Sequence, residues 1–371
     1  MLDELLVQAD NVKASDLYIT VGLPATIKVN GKLEQISEQK FSREDVYALI
    51  KETMNDTRFA EFQAVKESNY AFLAKHGGRF RISAFMQKEQ PGMVLRRIEM
   101  KIPLFSELNL PERLKDIAMA KRGLVLFVGA TGAGKSTTQA AMIGYRNQHA
   151  PGHILTIEDP IEFLHEHGKS VVTQREVGVD TDSFDLALKN SLRQAPDVIL
   201  IGEIRTRETM EFALSFAETG HLCMATLHAN NANQALDRIL HLVPPEVHRQ
   251  FLFDLSLNLR AIVAQQLVPS KDGKERCAAF EILYNTPRLA DVIRSGNLHL
   301  LKEIMTKSRE HGMQTFDQAL FELYERDMIG YTETLAHADS VNDLRLMIKL
   351  YSAKDPQQVG TGKLSDVTLD L

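Results

Sequence analysis

Gly129-Ala130-Thr131-Gly132-Ala133-Gly134-Lys135-Ser136 is the stretch of sequence that decides the fold. It follows an apolar run at 124–128 that is typical of a buried strand, and it precedes a helix-forming run, Thr137–Tyr145. A strand, a glycine-rich loop with GxxxxGK(S/T) spacing and a helix, in this order, predict a phosphate-binding loop. Glycines let successive N–H groups of such a loop point inward, and the helix adds the positive end of its dipole. The stretch therefore predicts a nucleotide-binding site.

Each residue of the loop has an expected role. We expect the main chain from Gly129 to Gly134, together with Thr137, to surround the phosphates, and Lys135 to reach the β and γ phosphates. The hydroxyl of Ser136 is the expected ligand for Mg²⁺. The motif predicts nucleotide binding, whereas hydrolysis needs further groups.

A cluster of carboxylates is the first candidate for those groups, because hydrolysis requires one acid for Mg²⁺ and another to orient the attacking water. Glu158, Asp159 and Glu162 follow the strand predicted at 153–157, and Pro160 turns the chain. Ligands bind beyond the carboxyl ends of the strands in a parallel sheet, so we expect this cluster beside the phosphate loop. An acidic, solvated turn without such a role is the alternative.

A second acid, Glu203, follows Gly202 at the end of the apolar strand predicted at 198–202. This pattern is similar to the second nucleotide-binding acid of P-loop proteins, with glycine where an aspartate often stands. We expect Glu203 to act on Mg²⁺ through water. A core strand with an acidic end is the alternative.

Two histidines, His221 and His228, flank the apolar strand predicted at 222–226. Either side chain could sense the γ phosphate through a hydrogen bond. A metal site is the competing functional interpretation, and a satisfied polar group at a strand end is the structural one.

The length of 371 residues predicts two domains. Residues 1–100 have the alternating apolar patterns of a small α+β domain, an antiparallel sheet with covering helices. Pro103 and Pro111 interrupt the periodicity, so we predict a linker at 101–113.

Residues 114–351 alternate between apolar strands and helical stretches, which predicts a parallel sheet wound by helices and then a mostly helical part up to about residue 351. The predicted strands are 124–128, 153–157, 198–202 and 222–226. Residues 352–371 have no periodic apolar face, and we predict a disordered tail.

Composition narrows the class of protein. With 43 basic and 49 acidic residues, the net charge of −6 gives no bulk positive field, so we expect no direct binding of nucleic acid. Cys223 and Cys277 cannot build a disulfide scaffold or a four-thiolate zinc site, which favours a reducing compartment. The acidic N-terminus lacks a signal-peptide pattern, and no apolar run approaches the roughly 18 residues of a membrane span. We therefore expect a cytoplasmic protein.

The phosphate loop, the Glu-Asp-Pro-x-Glu box ending at Glu162, the Gly-Glu pair ending at Glu203 and the histidine box, in this order, resemble the secretion-ATPase superfamily. Within it the chain resembles the type IV pilus retraction ATPases, the PilT and PilU group. The resemblance implies a PAS-like N-terminal domain, a RecA-like P-loop ATPase domain, ATP and Mg²⁺ as ligands, and a homohexameric ring. It also implies that Glu162 activates water and that Glu203 lies on the Mg²⁺ side. Within the acidic cluster, we expect Glu158 to contact the nucleotide.

Arg81 and Arg96 match paired arginines of this family that reach the nucleotide across a subunit boundary. Such an arginine stabilises transition-state charge only when the interface closes, so it couples chemistry to movement. Arg79 and Arg97 are alternative candidates for the same role.

Two departures narrow the subgroup. Extension ATPases of the pilus usually carry a four-cysteine zinc motif, which two cysteines cannot supply. The segment Arg288–Ser295 differs from the Ala-Ile-Arg-Asn-Leu-Ile-Arg-Glu signature of PilT-type motors, with Ala290 and Ser295 replacing an arginine and the glutamate. This change resembles the PilU branch, the accessory retraction ATPases.

The PilU-like resemblance implies partners and a location. It implies a PilT-type retraction ATPase and an inner-membrane pilus platform protein as partners, a peripheral position at the cytoplasmic face of the inner membrane, and a role in twitching motility. The alternatives are a nucleotide-gated structural adaptor with little turnover and an ATPase of a related secretion system.

Overall fold

The structure is a computed structural model that describes residues 1–29, 31–98 and 101–354. The chain forms two compact units. The described residues of the first unit lie within Met1–Ile102, Asp159–His165 and Gln174–Leu186, and those of the second lie within Pro103–Glu158, Glu166–Thr173 and the chain from Ala187 to Lys354. The domain boundaries given above remain predictions, and the predicted tail lies, from residue 355 onward, outside the described residues.

A six-stranded antiparallel sheet with the order β3-β2-β1-β6-β5-β4 organises the described part of the first unit. Its strands are β1 Asp16–Thr20, β2 Thr26–Val29, β3 Lys32–Gln35, β4 Glu67–Leu73, β5 Arg79–Gln87 and β6 Gln90–Ile98. The unit's N-terminal helices are α1 Leu2–Asn11, α2 Arg43–Glu52 and α3 Asp56–Val65.

One face of this sheet forms the core of the first unit. Alternate strand residues such as Ile19, Ile82 and Leu95 are buried against Leu6 of α1 and Ile50 of α2. Because successive side chains of a strand point to opposite faces, the intervening residues of β5 and β6 form the other face. That second face carries Arg81 and Arg96.

A seven-stranded sheet with the order β13-β12-β7-β11-β10-β8-β9 organises the second unit. The strands are β7 Gly123–Val128, β8 Gly152–Glu158, β9 Ser170–Glu176, β10 Val198–Ile201, β11 Leu222–Leu227, β12 Leu259–Pro269 and β13 Arg276–Tyr284. The pairs β7–β11, β11–β10, β10–β8 and β12–β7 are parallel, and β12–β13 is antiparallel. Strands β7, β10 and β11 are buried along their whole length, as expected for a parallel sheet covered on both faces.

Helices separate and follow these strands. They are α4 Arg113–Ala118, α5 Lys135–His149, α6 Phe184–Ser191, α7 Arg207–Glu218, α8 Ala232–His241, α9 His248–Asn258, α10 Pro287–Ser295, α11 Leu301–Lys307, α12 Phe316–Glu325, α13 Tyr331–Ala336 and α14 Val341–Tyr351. Within the described residues, no helix is both long and apolar enough to span a bilayer.

The predicted fold class, a P-loop α/β domain preceded by a small α+β domain, is confirmed. The prediction of a mostly helical region after β11 is wrong in part, because β12 and β13 form a long antiparallel hairpin there. The central residues of β12, Ala261–Gln265, are all buried, and a short, wholly buried apolar run has no periodicity that separates a strand from a helix.

Candidate active site

The phosphate loop connects β7 to α5 and is braced from one side by β12. An ideal Cβ on Gly129 would lie 2.4 Å from the carbonyl oxygen of Gln265, and one on Gly134 would lie 2.8 Å from the Gln265 side-chain nitrogen. Both glycines have positive φ angles, 149° and 84°. The buried Gln265 amide also accepts a hydrogen bond from the Thr138 hydroxyl at 2.8 Å. The loop therefore requires glycine at both positions for backbone conformation and for space.

Lys135 is the first residue of α5, and its side chain returns over the loop. The residue is only 8% exposed, and its ammonium group donates to the carbonyl oxygens of Gly129 at 2.7 Å and Ala130 at 2.9 Å. The next residue, Ser136, is half-buried, and its hydroxyl makes no hydrogen bond within the described part of the chain. A cation, a free hydroxyl and the positive end of a helix dipole thus meet where the strand turns into the helix.

Four adjacent parallel strands bring the second unit's candidate residues to one edge. The strands lie in the order β7, β11, β10, β8. The phosphate loop follows β7, His228 follows β11, Glu203 follows β10, and Glu158 is the last residue of β8. The register pairs Val128 with Leu227, which places the start of the loop beside the residue that precedes His228. This edge is where α/β sheets bind ligands.

Glu203 lies beside two basic side chains at this edge. Its side chain is only 13% exposed and forms an ion pair with Arg205, while its other oxygen lies 3.5 Å from His228 Nε2. Glu158, at the end of β8, accepts a hydrogen bond from the Thr156 hydroxyl at 2.6 Å. Of the two predicted histidines, the structure brings His228 to the acid.

His221 lies at the opposite end of β11. It precedes the six-residue strand that His228 follows, so the two histidines are separated by about 23 Å at roughly 3.3 Å per residue. The His221 ring contacts Thr219 and the Phe216 carbonyl oxygen instead. The structure does not bring His221 together with the phosphate loop of its own chain, because a parallel strand presents only its carboxyl end there. Within the described residues, no cluster of His, Cys, Asp and Glu is arranged to hold a metal.

The remaining acids of the predicted box belong to the first unit. Asp159 lies 3.8 Å from the guanidinium of Arg81. Glu162 is exposed, and its carboxylate has no hydrogen bond or ion pair within the described chain. The box is thus divided, with Glu158 grouped with the second unit and Glu162 with the first.

Arg81 and Arg96 are directly opposite each other on β5 and β6, on the sheet face away from the core. Like charges in this position repel each other unless acids compensate them. Arg96 donates to the buried carboxylate of Asp16 at 2.9 Å, and Arg81 has Asp159. Both side chains retain exposure, 34% for Arg81 and 70% for Arg96.

The two alternative arginines differ in their placement. Arg97 lies on the core face and donates to Asp10 of α1 at 3.3 Å, so it ties a helix to the sheet. Arg79 shares the open face with Arg81, because the two are separated by one residue. Placement therefore argues against Arg97, and it leaves Arg79 as an alternative.

A cavity of about 480 Å³ adjoins the first turn of α5 and was not predicted from the sequence. Apolar side chains from separate parts of the second unit line it together with Thr137 and Arg326; they are Leu108, Leu110, Leu267, Leu323 and Met328. Cys277 of β13 also lines it, and burial raises the pKa of this thiol, with Glu275 and Asp272 adding to the effect. Residues of β12 and β13 form part of the cavity wall. The sequence could have indicated the cavity only through these two strands, and the prediction of a helical region missed them.

Glu281 of β13 supports the segment that follows His228. It is 3% exposed and accepts a hydrogen bond from the N–H of Ala232, the first residue of α8, at 2.8 Å. Burial, with a contribution from Asp339, raises the pKa of Glu281 to about 7, although the Ala232 N–H and Lys302 oppose the shift.

Comparison with known proteins identifies the family. The sequence profile of the type II/IV secretion system protein family matches residues 1–325. The chain belongs to this family. It is 59% identical over 347 residues to the type IV pilus ATPase PilU of Pseudomonas aeruginosa, which covers 94% of this chain and 91% of that protein. It is 40% identical over 329 residues to the type IV pilus retraction ATPase PilT of the same organism, with 89% and 95% covered.

The fold comparison agrees with the sequence comparison. A crystal structure of the pilus retraction motor PilT with bound ADP superposes with a TM-score of 0.87 at 35% identity, over 93% of this chain and 99% of that one. The predicted resemblance to the PilT and PilU group is thereby confirmed, as is the RecA-like architecture. The roles of individual site residues remain predictions.

Proposed function

We propose that this chain is an ATP-hydrolysing motor of type IV pilus retraction that acts as a PilU-like accessory to a PilT-type motor and supports twitching motility. The observation that carries the proposal is the edge of the parallel sheet, where Lys135, Glu203 and His228 follow neighbouring strands. Similarity to PilU over 94% of the chain supports the assignment to the pilus.

The second unit binds the nucleotide. The N–H groups of the phosphate loop and the start of α5 hold the phosphates, and Lys135 exchanges carbonyl partners for phosphate oxygens. The cavity beside Thr137 receives the base and ribose, since apolar walls with a few polar groups suit a planar heterocycle.

Mg²⁺ fits the residues at this edge, because a hydroxyl and a carboxylate are hard oxygen ligands. Ser136 and Glu203 would hold it, Glu203 through water, and when bound it would neutralise charge on the phosphates. The described contacts agree with this donor set, since among them the Ser136 hydroxyl makes no hydrogen bond, and the Glu203 carboxylate pairs with Arg205 and lies 3.5 Å from His228 Nε2.

Glu162 orients and deprotonates the attacking water, which suits an exposed carboxylate that has no cationic partner among the described residues. Arg81 and Arg96 act on the nucleotide of a neighbouring copy and stabilise the charge that develops on the γ phosphate. Hydrolysis then depends on closure between copies, which converts chemistry into movement.

The assembly is a homohexameric ring at the cytoplasmic face of the inner membrane. It works with a PilT-type ATPase and with the membrane platform protein of the pilus.

The test is the ATPase rate of the purified chain with and without a PilT-type partner. We expect Mg²⁺-dependent turnover that Lys135→Ala abolishes without unfolding the protein. Lys121→Ala, which changes an exposed lysine two residues before β7, the strand that leads into the phosphate loop, is the matched control. Unchanged turnover in Lys135→Ala would contradict the assignment of the site.

The altered segment on α10 favours a second candidate, a nucleotide-gated adaptor that docks on the partner ring. Ala290 and Ser295 lie on this helix, and Ser295 is exposed at its end. Both candidates bind ATP. If the chain is an adaptor, cells that carry Glu162→Gln retract pili like the wild type. If it is a motor, these cells behave like cells that lack the protein.

A further inference from the structure

The segment that carries Glu162 runs from β8 towards β9 without a helix or a strand, and Phe163 alone is a β-bridge residue. Most of its backbone groups must therefore find partners outside a helix or ladder. Two residues of β9, Gln174 and Glu176, supply them. They are separated by one residue, so their side chains point to the same side of the strand.

Gln174 holds the segment on the C-terminal side of Glu162. Its side-chain oxygen accepts a hydrogen bond from the N–H of His165 at 2.7 Å, and its side-chain nitrogen donates to the carbonyl oxygen of Phe163 at 2.9 Å. One amide thus binds two main-chain groups within three residues of the candidate base.

Glu176 holds the segment on the N-terminal side. Its Oε2 accepts a hydrogen bond from the N–H of Ile161, the residue before Glu162, at 3.2 Å. Glu176 is 3% exposed, and a buried carboxylate is tolerated only when it is hydrogen-bonded. The N–H of Ile161 is therefore a structural partner of this acid.

The backbone of Glu176 is fixed by the turn that follows it. Its N–H donates to the Asp180 carboxylate at 2.9 Å, and its carbonyl oxygen accepts from the N–H groups of Val179 and Asp180. The Glu176 carboxylate consequently projects from a backbone that three hydrogen bonds hold in place. Ile161 N–H and Phe163 C=O, the groups on either side of Glu162, are both held by side chains of one strand.

We propose that Gln174 and Glu176 are positioning residues that set the location of the Glu162 carboxylate by holding the main chain on both sides of it. The inference rests on the proposed role of Glu162 as the base. Because the Glu162 carboxylate has no partner of its own in the described chain, its location depends on the backbone that carries it. A displacement of about 1 Å can reduce a reaction rate on the order of 100-fold.

The test compares variants that remove the hydrogen bonds with variants that keep them. Gln174→Met and Glu176→Met conserve volume and remove the partners of the segment. We expect kcat to fall about tenfold or more while nucleotide affinity stays within about twofold, because only the water-orienting group moves. Glu176→Gln keeps an acceptor for Ile161 N–H and should retain most of kcat.

Asn147→Leu is the matched control for general damage to the same connection. Asn147 is a buried amide, whereas Gln174 is half-buried. Asn147 holds the chain further along by donating to Glu166 C=O at 2.8 Å and accepting from Gly168 N–H at 3.0 Å. We expect a similar loss of thermal stability in Asn147→Leu and Gln174→Met, and a loss of kcat only in the latter. Equal losses of kcat would reduce Gln174 to a structural role and overturn the proposal.

A double-mutant cycle separates this inference from the proposed function. In a Glu162→Gln background, Gln174→Met should cause no further loss of the residual rate, since it acts only through Glu162. An additive loss overturns the inference. If Glu162→Gln abolishes turnover but Gln174→Met does not lower it, the inference fails and the role of Glu162 stands. If Glu162→Gln retains full turnover, both fail.

Discussion

Glu203 and Glu162 both follow strands of the molecule, yet their surroundings differ. Glu203 is largely buried at the end of β10, paired with Arg205 and close to His228. Glu162 is exposed in the segment after β8, and no described side chain compensates its charge. A carboxylate whose oxygens already have partners is suited to hold a position in a polar network. A carboxylate with free oxygens is suited to accept a proton from water.

These carboxylates are specialised by their neighbours rather than by their residue type. One is fixed by side chains of the same edge, and the other is fixed through its main chain. Each carboxylate can therefore be altered by a substitution that leaves the other in place.

Glu162→Gln should have the largest effect. Loss of the base should lower ATP turnover by about 10²–10⁴-fold, whereas nucleotide affinity should change little because the phosphate loop is intact. Steady-state ATPase assays and titration with a fluorescent nucleotide measure the two quantities. A weakened affinity at full turnover would reverse the roles assigned to the two glutamates.

Arg81→Gln should lower turnover about 100-fold in the assembled protein, because a donor for transition-state charge is lost. The control is Arg97→Gln on the core face, which should reduce thermal stability and leave turnover largely intact. The decisive measurement is mixing: inactive Arg81→Gln chains and inactive Glu162→Gln chains should restore activity together if the arginine serves a neighbour. Failure of mixed rings to recover activity would place Arg81 outside the shared site.

Glu203→Gln should weaken Mg²⁺-dependent nucleotide binding about tenfold or more, with binding in excess chelator unchanged. The reason is that an amide cannot order the water ligands of the ion as a carboxylate does. Glu208→Gln, an exposed acid in the first turn of α7, serves as the control. If binding in chelator weakens equally, Glu203 acts on the loop rather than on the ion.

Glu281 is an almost fully buried acid, and its substitution should have the smallest effect of these variants, a change in the pH dependence of stability. Its pKa in the folded protein is about 7, above the ordinary value of 4.5, so the folded state holds a proton that the unfolded state releases. Stability should therefore fall as the pH rises from about 4.5 to 7, by at most about 1.4 kcal/mol per pH unit. Glu281→Gln should flatten this dependence in denaturation measured from pH 5 to 8. A slope that stays the same would assign the dependence to other groups.

The phosphate loop could be predicted from the sequence because its information is local. The glycine spacing, the strand before it and the helix after it all lie within about 25 residues, a range over which backbone geometry is set by neighbours. The candidate acids could be predicted for the same reason, because they directly follow apolar runs that are typical of strands.

The remaining features depend on contacts distant in sequence. Gln265 braces Gly129 across more than a hundred residues, and nothing in the loop itself indicates it. From the sequence, His221 and His228 are equally good candidates for contact with the γ phosphate. Only the direction of β11 shows that His228 follows the carboxyl end of the strand. The grouping of Arg81 with Asp159 follows from tertiary packing, which no local pattern encodes.

The two cysteines differ in their accessibility to a fluorescent dye, so one of them can be labelled selectively. Cys223 is wholly buried in β11, and desolvation raises the pKa of its thiol, so alkylating dyes should not reach it in the folded protein. Cys277 is only partly buried, on the wall of the cavity beside α5. A dye attached there in mildly alkaline buffer marks one defined position without mutagenesis, and its emission should follow the filling of the cavity turnover by turnover.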